Sequence, residues 1–578
     1  MKSLRRALLI LSVMLLGAAP ALAATPAATT SPVAKVAQRP GHAAIASAHK
    51  LATEAGLEIL REGGNAFDAA VAVASTLSVV EPQSSGIGGG GFFLLHRASD
   101  GKNVMLDARE TAPSGSSSKL YEDANGNPDR DKSLNGALAA GIPGEPAALV
   151  WMAQHYGKLP LSKSLAPAIR IARNGFQPDA RFLSELHERA KVIARYPGSA
   201  KLLLPDGKPP RAGWTFKNPD LADTLERIAK DGDAGFYRGE FAKKLVDGVR
   251  AAGGDWTLAD LENYKVKERA PIAFDYRPPG KPAYHIVSAS PPSSGGVVLE
   301  EMLNILSGFD LDKMDRAHRV HTIVEAMRRG YRDRTQYLGD PDFVQMPIAR
   351  LTSMAYADKL RESIKPDEAT PSSALPPADP TKPESMHTTH FSIVDKDGNM
   401  VSATQTVNTA FGSCLVIPGT GFVLNNEMDD FALVPGKPNA YGLIGYEANA
   451  PEPGHRPLSS MTPSFVFGPD RDMVIGTPGG SRIITMVLEG ILSFVDGNDA
   501  AQITARPRFH HQYLPDVISA EPGALDPATI KALQAMGYTV NAGERRWGFM
   551  NVVIWNRKTG RLGAASDPRG DSGLGKVQ

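Results

Sequence analysis

Thr388 opens a strand-like segment in which its hydroxyl group could act as a nucleophile. Residues 387–395 read His-Thr-Thr-His-Phe-Ser-Ile-Val-Asp and follow a proline-rich tract. If the chain were cut between His387 and Thr388, the freed α-amino group, with a pKa of roughly 7.7–8.0, would serve as the base for the Thr388 hydroxyl. The same hydroxyl could make that cut by attacking the His387 carbonyl. An ordinary strand beginning with β-branched residues is the alternative.

A predicted hairpin brings a second hydroxyl group next to Thr388. Residues 391–394 and 400–404 are strand-like and flank a short loop that contains Gly398. If Asp395 pairs with Asn399, Thr388 lies opposite Thr406, with Cβ atoms about 4.5–5.5 Å apart. Asn408 lies just beyond this pair.

Two adjacent glycines follow another apolar strand. Residues 473–475 lead into Thr-Pro-Gly-Gly-Ser-Arg, in which Gly479 and Gly480 could present consecutive N–H groups to an oxyanion. A plain strand-to-helix turn is the alternative. Residues 425–431 and 456–461 are polar clusters that are also compatible with capping and turn chemistry.

The N-terminus is typical of an exported protein. Residues 1–6 are basic, residues 7–19 are apolar, and Ala-Leu-Ala at 21–23 suits cleavage, so residues 1–23 are predicted to be a signal peptide for the periplasm or secretion. Residues 24–40 are predicted to be a disordered lead-in.

Removal of the signal peptide takes away three cationic residues and no acidic one, so the formal charge changes from +1 to about −2. This near-neutral balance disfavours binding to nucleic acid or to an anionic membrane surface. No cysteine directly follows the cleavage site, so no membrane anchor is expected once the signal is gone. Cys414 is the one cysteine, which rules out an internal disulfide.

The remaining pattern predicts a mixed helix and strand protein. Residues 43–61 have the hydrophobic period of an amphipathic helix. Residues 65–80 are almost wholly apolar and are predicted to form a buried helix, and residues 317–337 are predicted to form a long helix with a polar face. Strands are predicted at 92–96 and 103–107, and helices dominate 146–265. Residues 365–383 are predicted to be an unpacked linker. The segment after residue 388 lacks enough helix to cover its strands, so both segments are expected to build one interwoven fold.

Taken together, the chain resembles the γ-glutamyltranspeptidases (glutathione hydrolases) of the N-terminal nucleophile hydrolase superfamily. The resemblance rests on residues 64–70 (GNAFDAA), 88–92 (GGGGF), 107–113 (DARETAP), 291–296 (PPSSGG), 337–343 (YLGDPDF), 388–390 (TTH), 458–461 (LSSM), 478–482 (PGGSR), 508–512 (RFHHQ) and 566–569 (SDPR). It implies an α+β fold, a four-layer αββα sandwich. It also implies self-cleavage between His387 and Thr388 into a large subunit, 41–387 with a Pro-rich tail at 365–387, and a small subunit, 388–578, that stay associated.

The resemblance also implies roles for individual residues. Thr388 would be the nucleophile, Thr406 its hydroxyl partner, and Gly479 and Gly480 the oxyanion hole. The remaining residues would hold the γ-glutamyl group: Arg109, Ser459 and Ser460 its α-carboxylate, and Asn408, Glu427 and Asp430 its α-ammonium, with Tyr441 in a lid loop at 435–457. The enzyme would pass the γ-glutamyl group of glutathione and related compounds to water, amino acids or dipeptides, without a cofactor.

Three other functions were weighed against this one. Cephalosporin or glutaryl acylases share the architecture but need no α-ammonium site, which Asn408, Glu427 and Asp430 would supply. A non-catalytic binding relative would be expected to lack Thr388 or the glycine pair. A metal site is disfavoured because His390, His510 and His511 lack a spaced ligand set.

Overall fold

The computed structural model describes residues 39–375 and 388–578. The predicted signal peptide, residues 24–38 of the lead-in and His387 lie outside the described residues. The strands are β1 (Ala44–Ser47), β2 (Gly90–Arg97), β3 (Lys102–Ala108), β4 (Lys267–Arg269), β5 (Ile272–Tyr276), β6 (Tyr284–Ser288), β7 (Thr389–Val394), β8 (Met400–Thr406), β9 (Ser464–Phe467), β10 (Arg471–Gly476), β11 (Phe509–His510), β12 (Ile518–Ala520), β13 (Val540–Ala542), β14 (Asn551–Asn556), β15 (Leu562–Ser566) and β16 (Leu574–Val577).

The α-helices occur both before and after residue 388 in the sequence. They are α1 (Lys50–Arg61), α2 (Ala66–Val80), α3 (Arg130–Leu134), α4 (Glu145–His155), α5 (Leu161–Asn174), α6 (Ala180–Ile193), α7 (Pro197–Leu203), α8 (Pro219–Asp231), α9 (Ala234–Tyr237), α10 (Gly239–Ala251), α11 (Leu258–Asn263), α12 (Gly295–Leu306), α13 (Arg316–Tyr337), α14 (Ile348–Leu351), α15 (Met354–Glu362), α16 (Ile483–Val495), α17 (Ala500–Ala505) and α18 (Pro527–Ala535). None of the helices in the described part of the chain is both long enough and apolar enough to cross a membrane.

Two antiparallel sheets form the centre of the molecule, and each contains strands from both sides of residue 388. The first has the order β16-β1-β7-β8-β2-β3-β4, and the second the order β15-β14-β10-β9-β6-β5. In the first sheet β1 is hydrogen-bonded between β16 and β7, and in the second β6 pairs with β9. The expectation of one interwoven fold is therefore confirmed.

The sheets pack face to face with helices outside. Strands β7 and β8 contact β10 and β14, α2 covers the outer face of the first sheet, and α12 and α16 cover the second. Because strand side chains alternate, Phe92 and Leu94 enter the core between the sheets, whereas Phe93 and Leu95 enter the core under α2. This is the predicted αββα sandwich.

The β7–β8 hairpin has the predicted register. The Asp395 N–H donates to the Asn399 carbonyl oxygen at 3.0 Å, and Thr389 lies opposite Gln405. Gly398 closes the loop with φ +91°, a conformation that glycine adopts without strain. One step further along, the pairing brings Thr388 beside Thr406.

Two element predictions are wrong. Residues 43–47 are not helical: β1 occupies Ala44–Ser47 and α1 begins only at Lys50, because β1 is buried on both faces and shows no alternation. The prediction of an unpacked linker at 365–383 fails at Ala369 and Ser372, which are buried, although most other residues from 365 to 375 are exposed and residues 376–383 lie outside the described residues. The Ser372 N–H donates to Asp516 Oδ2 at 2.7 Å, so this stretch is tied to the segment after residue 388.

Candidate active site

Thr388 and Thr406 form a pair of buried hydroxyl groups. Their Oγ1 atoms lie 3.2 Å apart, and both side chains are largely shielded from solvent. The backbone N–H of Asn408 donates to Thr406 Oγ1 at 2.8 Å, which fixes the position of that oxygen. The second hydroxyl group is thus held where it can orient the first.

These two threonines line a narrow cleft whose empty volume, including its opening to solvent, is about 310 Å³. The structure brings nearly all of the predicted site residues into it; they are Arg109, Thr388, Thr406, Asn408, Glu427, Asp430, Tyr441, Ser459, Ser460 and Gly480. Gly479 is adjacent in sequence but does not line the cleft. The lining also includes four residues that were not predicted individually as site residues: Arg334, Leu443 from the predicted lid loop, Met461 from the LSSM motif, and Ile483.

Arg109 directly follows β3 and forms a fork between two carboxyl groups. Its Nη1 donates to Glu427 Oε2 at 2.5 Å, and its Nη2 to Asp430 Oδ2 at 2.6 Å. Its Nε donates to the Pro457 carbonyl oxygen at 3.1 Å. Burial alone would lower the pKa of Arg109, but the neighbouring carboxylates outweigh it and raise that pKa, so the guanidinium group stays charged.

Three carboxyl groups surround this single arginine. Besides Glu427 and Asp430, Glu110 Oε2 lies 3.5 Å from Arg109 Nη1. Burial raises the pKa of Glu427 well above its usual range and that of Glu110 to about 7. The cluster holds three carboxyl groups around one cation, so a second cation nearby would favour their ionised forms.

The pair Ser459 and Ser460 lies on the approach to β9. The Ser459 carbonyl oxygen accepts hydrogen bonds from the Ser294 N–H at 2.8 Å and the Ser294 hydroxyl at 2.7 Å. The Ser460 Oγ accepts from Arg334 Nη2 at 3.2 Å. Both serines are buried, so their hydroxyl groups are positioned by the protein rather than by solvent.

Gly479 and Gly480 form the tight turn between β10 and α16. Their φ angles are +151° and +54°, and a Cβ on Gly479 would lie 2.3 Å from Met486 Cε. The backbone conformation therefore favours glycine at 479, whereas Met486 Cε, as the end of a flexible side chain, could move aside.

The segment that carries Tyr441 covers one side of the cleft. The Tyr441 hydroxyl lies 2.6 Å from both the carbonyl oxygen and the Oδ1 of Asn408, and its ring is buried. The backbone N–H of Ala440 donates to Asp429 Oδ2 at 2.8 Å. These bonds hold the segment against the residues that line the cleft.

The three histidines considered as ligands have ordinary partners in the core. His390 lies between the hydroxyl groups of Thr404 and Ser392, His510 between Thr485 and Gln512, and His511 next to Asp516. Across residues 39–375 and 388–578, no three metal-binding side chains come together.

Comparison with known proteins identifies the family. Residues 52–577 match the family described as gamma-glutamyltranspeptidase. The chain is 42% identical to the glutathione hydrolase proenzyme of Escherichia coli (strain K12), over 91% of this chain and 90% of that protein. The fold superimposes on a cephalosporin acylase from Bacillus halodurans with a TM-score of 0.80 and 28% identity, over 96% of this chain and 99% of that one. It superimposes on the Helicobacter pylori gamma-glutamyltranspeptidase with a TM-score of 0.55 and 40% identity, over 57% of this chain and 94% of that one. The chain therefore belongs to the gamma-glutamyltranspeptidase family of N-terminal nucleophile hydrolases.

Proposed function

We propose that the protein is a self-processing γ-glutamyl transferase and hydrolase whose nucleophile is Thr388. The observation that carries the proposal is the position of the Thr388 hydroxyl group, 3.2 Å from Thr406 Oγ1 in a cleft that also contains Arg109, Glu427 and Asp430. A nucleophile, an orienting hydroxyl group and a charged binding site therefore share one small space.

Maturation uses the same oxygen as turnover. Thr388 Oγ1 attacks the carbonyl carbon of His387, the C–N bond breaks, and the released nitrogen becomes the α-amino group of Thr388. Water then hydrolyses the ester, which leaves subunits 41–387 and 388–578 as a heterodimer. The freed amine is the base for later cycles, since its pKa of roughly 7.7–8.0 leaves part of it neutral near pH 7.

Turnover is an acyl transfer. Thr388 Oγ1 attacks the γ-carbonyl carbon of the donor while its proton passes to the α-amino group, and backbone N–H groups at Gly479 and Gly480 stabilise the oxyanion. The leaving amine takes the proton and departs, cysteinylglycine in the case of glutathione. Water, an amino acid or a dipeptide then attacks the ester and releases the γ-glutamyl group, so no cofactor is needed.

The charges of the cleft match an amino-acid head group. Arg109, Ser459 and Ser460 would bind the α-carboxylate, and Asn408, Glu427 and Asp430 the α-ammonium. A glutaryl donor has no ammonium group, so it would leave the three buried carboxyl groups with Arg109 as their shared cation, at a cost in binding. This favours γ-glutamyl over glutaryl donors. Export directed by residues 1–23 stays a prediction.

The test is the Thr388→Ala variant, with Thr388→Ser as the matched control that keeps a hydroxyl group. We expect Thr388→Ala to remain one chain by denaturing intact mass and to lose glutathione hydrolysis by about 10³-fold or more. Thr388→Ser should still yield two fragments, the smaller beginning at residue 388. Two fragments from Thr388→Ala would disprove the assignment, and processed wild-type protein without activity on glutathione would disprove the function.

A further inference from the structure

Arg334 is a buried cation in the cleft that lacks a carboxylate partner. It lies in the last turn of α13, its side chain lines the cleft, and the residue is 4% exposed. No carboxylate oxygen of the described residues lies within 4.0 Å of its guanidinium nitrogens. Arg109, by contrast, has two carboxylates as direct partners.

The hydrogen bonds of Arg334 go to two serine hydroxyl groups instead. Its Nε donates to Ser294 Oγ at 2.9 Å, and its Nη2 to Ser460 Oγ at 3.2 Å. The Ser294 hydroxyl in turn donates to the Ser459 carbonyl oxygen at 2.7 Å. Arg334 therefore reaches both members of the Ser459–Ser460 pair, one directly and one through Ser294.

The bond from Arg334 sets the direction in which Ser460 can donate. A hydroxyl group has one hydrogen and two lone pairs, and one lone pair of Ser460 Oγ is occupied by Arg334 Nη2. The hydroxyl hydrogen must then point to another acceptor, and Ser460 itself lines the cleft. Ser460 is thus held as a donor toward a ligand.

The charge of Arg334 also calls for an anion. Burial lowers the pKa of Arg334; Tyr331 and Asp430 act against this effect without contacting the guanidinium group directly, and the Arg109 cation adds to it. Its place at the C-terminal end of α13 gives some compensation through the helix dipole. A buried cation is nevertheless stabilised far more by direct contact with an anion, and the cleft that Arg334 lines has room for one.

From this arrangement, and resting on the proposed function, we propose that Arg334 is a positioning residue for the α-carboxylate of the γ-glutamyl donor. Its guanidinium group holds the Ser460 hydroxyl as a donor to that carboxylate and adds positive charge to that of Arg109, whose own charge is shared with Glu427 and Asp430. The carboxylate would thus be recognised by two arginines and two serines.

A purely architectural role makes a different prediction. If Arg334 only ties α13 to the Ser459–Ser460 segment, its loss should weaken every substrate alike. If it acts on the carboxylate, its loss should weaken donors that carry the carboxylate and spare those that do not. The ratio of kcat/KM for a donor with the carboxylate to kcat/KM for a donor without it therefore distinguishes these roles.

The experiment compares γ-glutamyl-p-nitroanilide with its analogue in which the α-carboxylate is a carboxamide. The proteins are the mature wild type, Arg334→Met, Arg334→Lys, and the control Arg319→Met. Arg319 lies on the same helix, but at its other end, where it pairs with Asp312 and Asp496. Release of p-nitroaniline gives kcat and KM for each protein with each of the two donors.

In Arg334→Met we expect KM for the carboxylate donor to rise about tenfold, with kcat changed by less than about threefold. The preference for carboxylate over carboxamide should fall by about tenfold in Arg334→Met, by less in Arg334→Lys, and not at all in Arg319→Met. Intact mass verifies maturation of each variant.

An unchanged preference in both Arg334 variants, with the wild type active, would overturn this inference and leave the proposed function standing. Failure of both variants to mature, while Arg319→Met matures, would assign Arg334 to folding and also overturn it. A wild type that matures but has no γ-glutamyl activity would overturn the proposed function and this inference together.

Discussion

Arg109 Nη1 and Glu427 Oε2 lie 2.5 Å apart, and the two residues come from opposite sides of Thr388. Arg109 follows β3, whereas Glu427 begins a short 3-10 turn, Glu427–Asp430, after the β7–β8 hairpin. The proposed binding site for a charged head group therefore requires the two segments to be packed together. This explains in physical terms why a chain cut before Thr388 must keep both fragments to remain active.

Replacing Arg109 by lysine should weaken donor binding without preventing maturation. Lysine keeps the charge but loses the planar fork that spans Glu427 and Asp430. We expect KM for γ-glutamyl-p-nitroanilide to rise by about tenfold or more, while two fragments still form. Steady-state kinetics and intact mass provide the measurements. An unchanged KM in matured Arg109→Lys would remove Arg109 from the binding site.

Donor binding should also depend on pH through Glu427. Burial raises the pKa of Glu427, with Glu110 and Asp430 acting in the same direction and Arg109 against them. An α-ammonium group favours the ionised carboxylate, so binding releases a proton, and KM should fall as pH rises towards the raised pKa of Glu427. Glu427→Gln should flatten this dependence. The exposed Glu368→Gln serves as the control, and equal slopes in wild type and Glu427→Gln would contradict the assignment.

The hydroxyl group of Thr406 should contribute to catalysis rather than to binding. Thr406→Val keeps the shape but removes the oxygen 3.2 Å from Thr388 Oγ1. We expect self-processing and kcat to slow by about 10²-fold, with KM within about threefold of wild type, because the nucleophile loses its orienting partner. Thr406→Ser, which keeps the hydroxyl group, should retain most of the rate. If Thr406→Val processes and turns over normally, the pair has no catalytic role.

The β7–β8 register was predictable because it depends on local features. A short loop closed by Gly398 fixes which residues face each other, and from there Thr388 and Thr406 follow by counting. Strand β1 was not predictable in the same way. Its sequence, Ala-Ile-Ala-Ser, has no alternation, and it is a strand only because β16 and β7 bind it from both sides.

Arg334 shows a second limit of sequence reasoning. Helix α13 is rich in charged residues and was expected to have a polar face, yet much of that face is buried against other polar groups, Arg328, Arg329 and Asp333 included. Which of these cations meets a carboxylate, and which meets the cleft, depends on tertiary packing. The motif at 337–343, directly after α13, was the nearest signal in the sequence.

Tyr441 should hold Asn408 in place beneath the predicted lid. Tyr441→Phe removes a hydroxyl group that lies 2.6 Å from Asn408 Oδ1 and from its carbonyl oxygen. We expect kcat/KM for the donor to fall by roughly three- to tenfold, because one buried hydrogen bond is lost. Tyr356→Phe, which removes a hydroxyl group bonded to Asp333 outside the cleft, is the matched control. Equal kcat/KM values for the two variants would show that Tyr441 does not position the site.

His390 should make the fold sensitive to acid. The Ser392 hydroxyl donates to the Asn551 carbonyl oxygen at 2.9 Å, so His390 Nε2 donates to Ser392 and Nδ1 accepts from Thr404, which describes a neutral ring. Burial lowers the pKa of His390 to about 3. The unfolded chain takes up a proton near pH 6.5 and the folded chain does not, so the free energy of unfolding decreases as pH falls from about 6.5 towards 3.

The measurement is urea unfolding of the single-chain Thr388→Ala variant at several pH values in this window. His390→Gln in that background should lower the slope of unfolding free energy against pH by about 1.4 kcal/mol per pH unit, the contribution of one proton. His49 and His511, whose pKa values burial lowers to about 4, should maintain a slope of the same sign in both proteins. Identical slopes would mean that His390 is charged in the folded protein, a state for which its two hydroxyl partners and buried position offer no counter-charge.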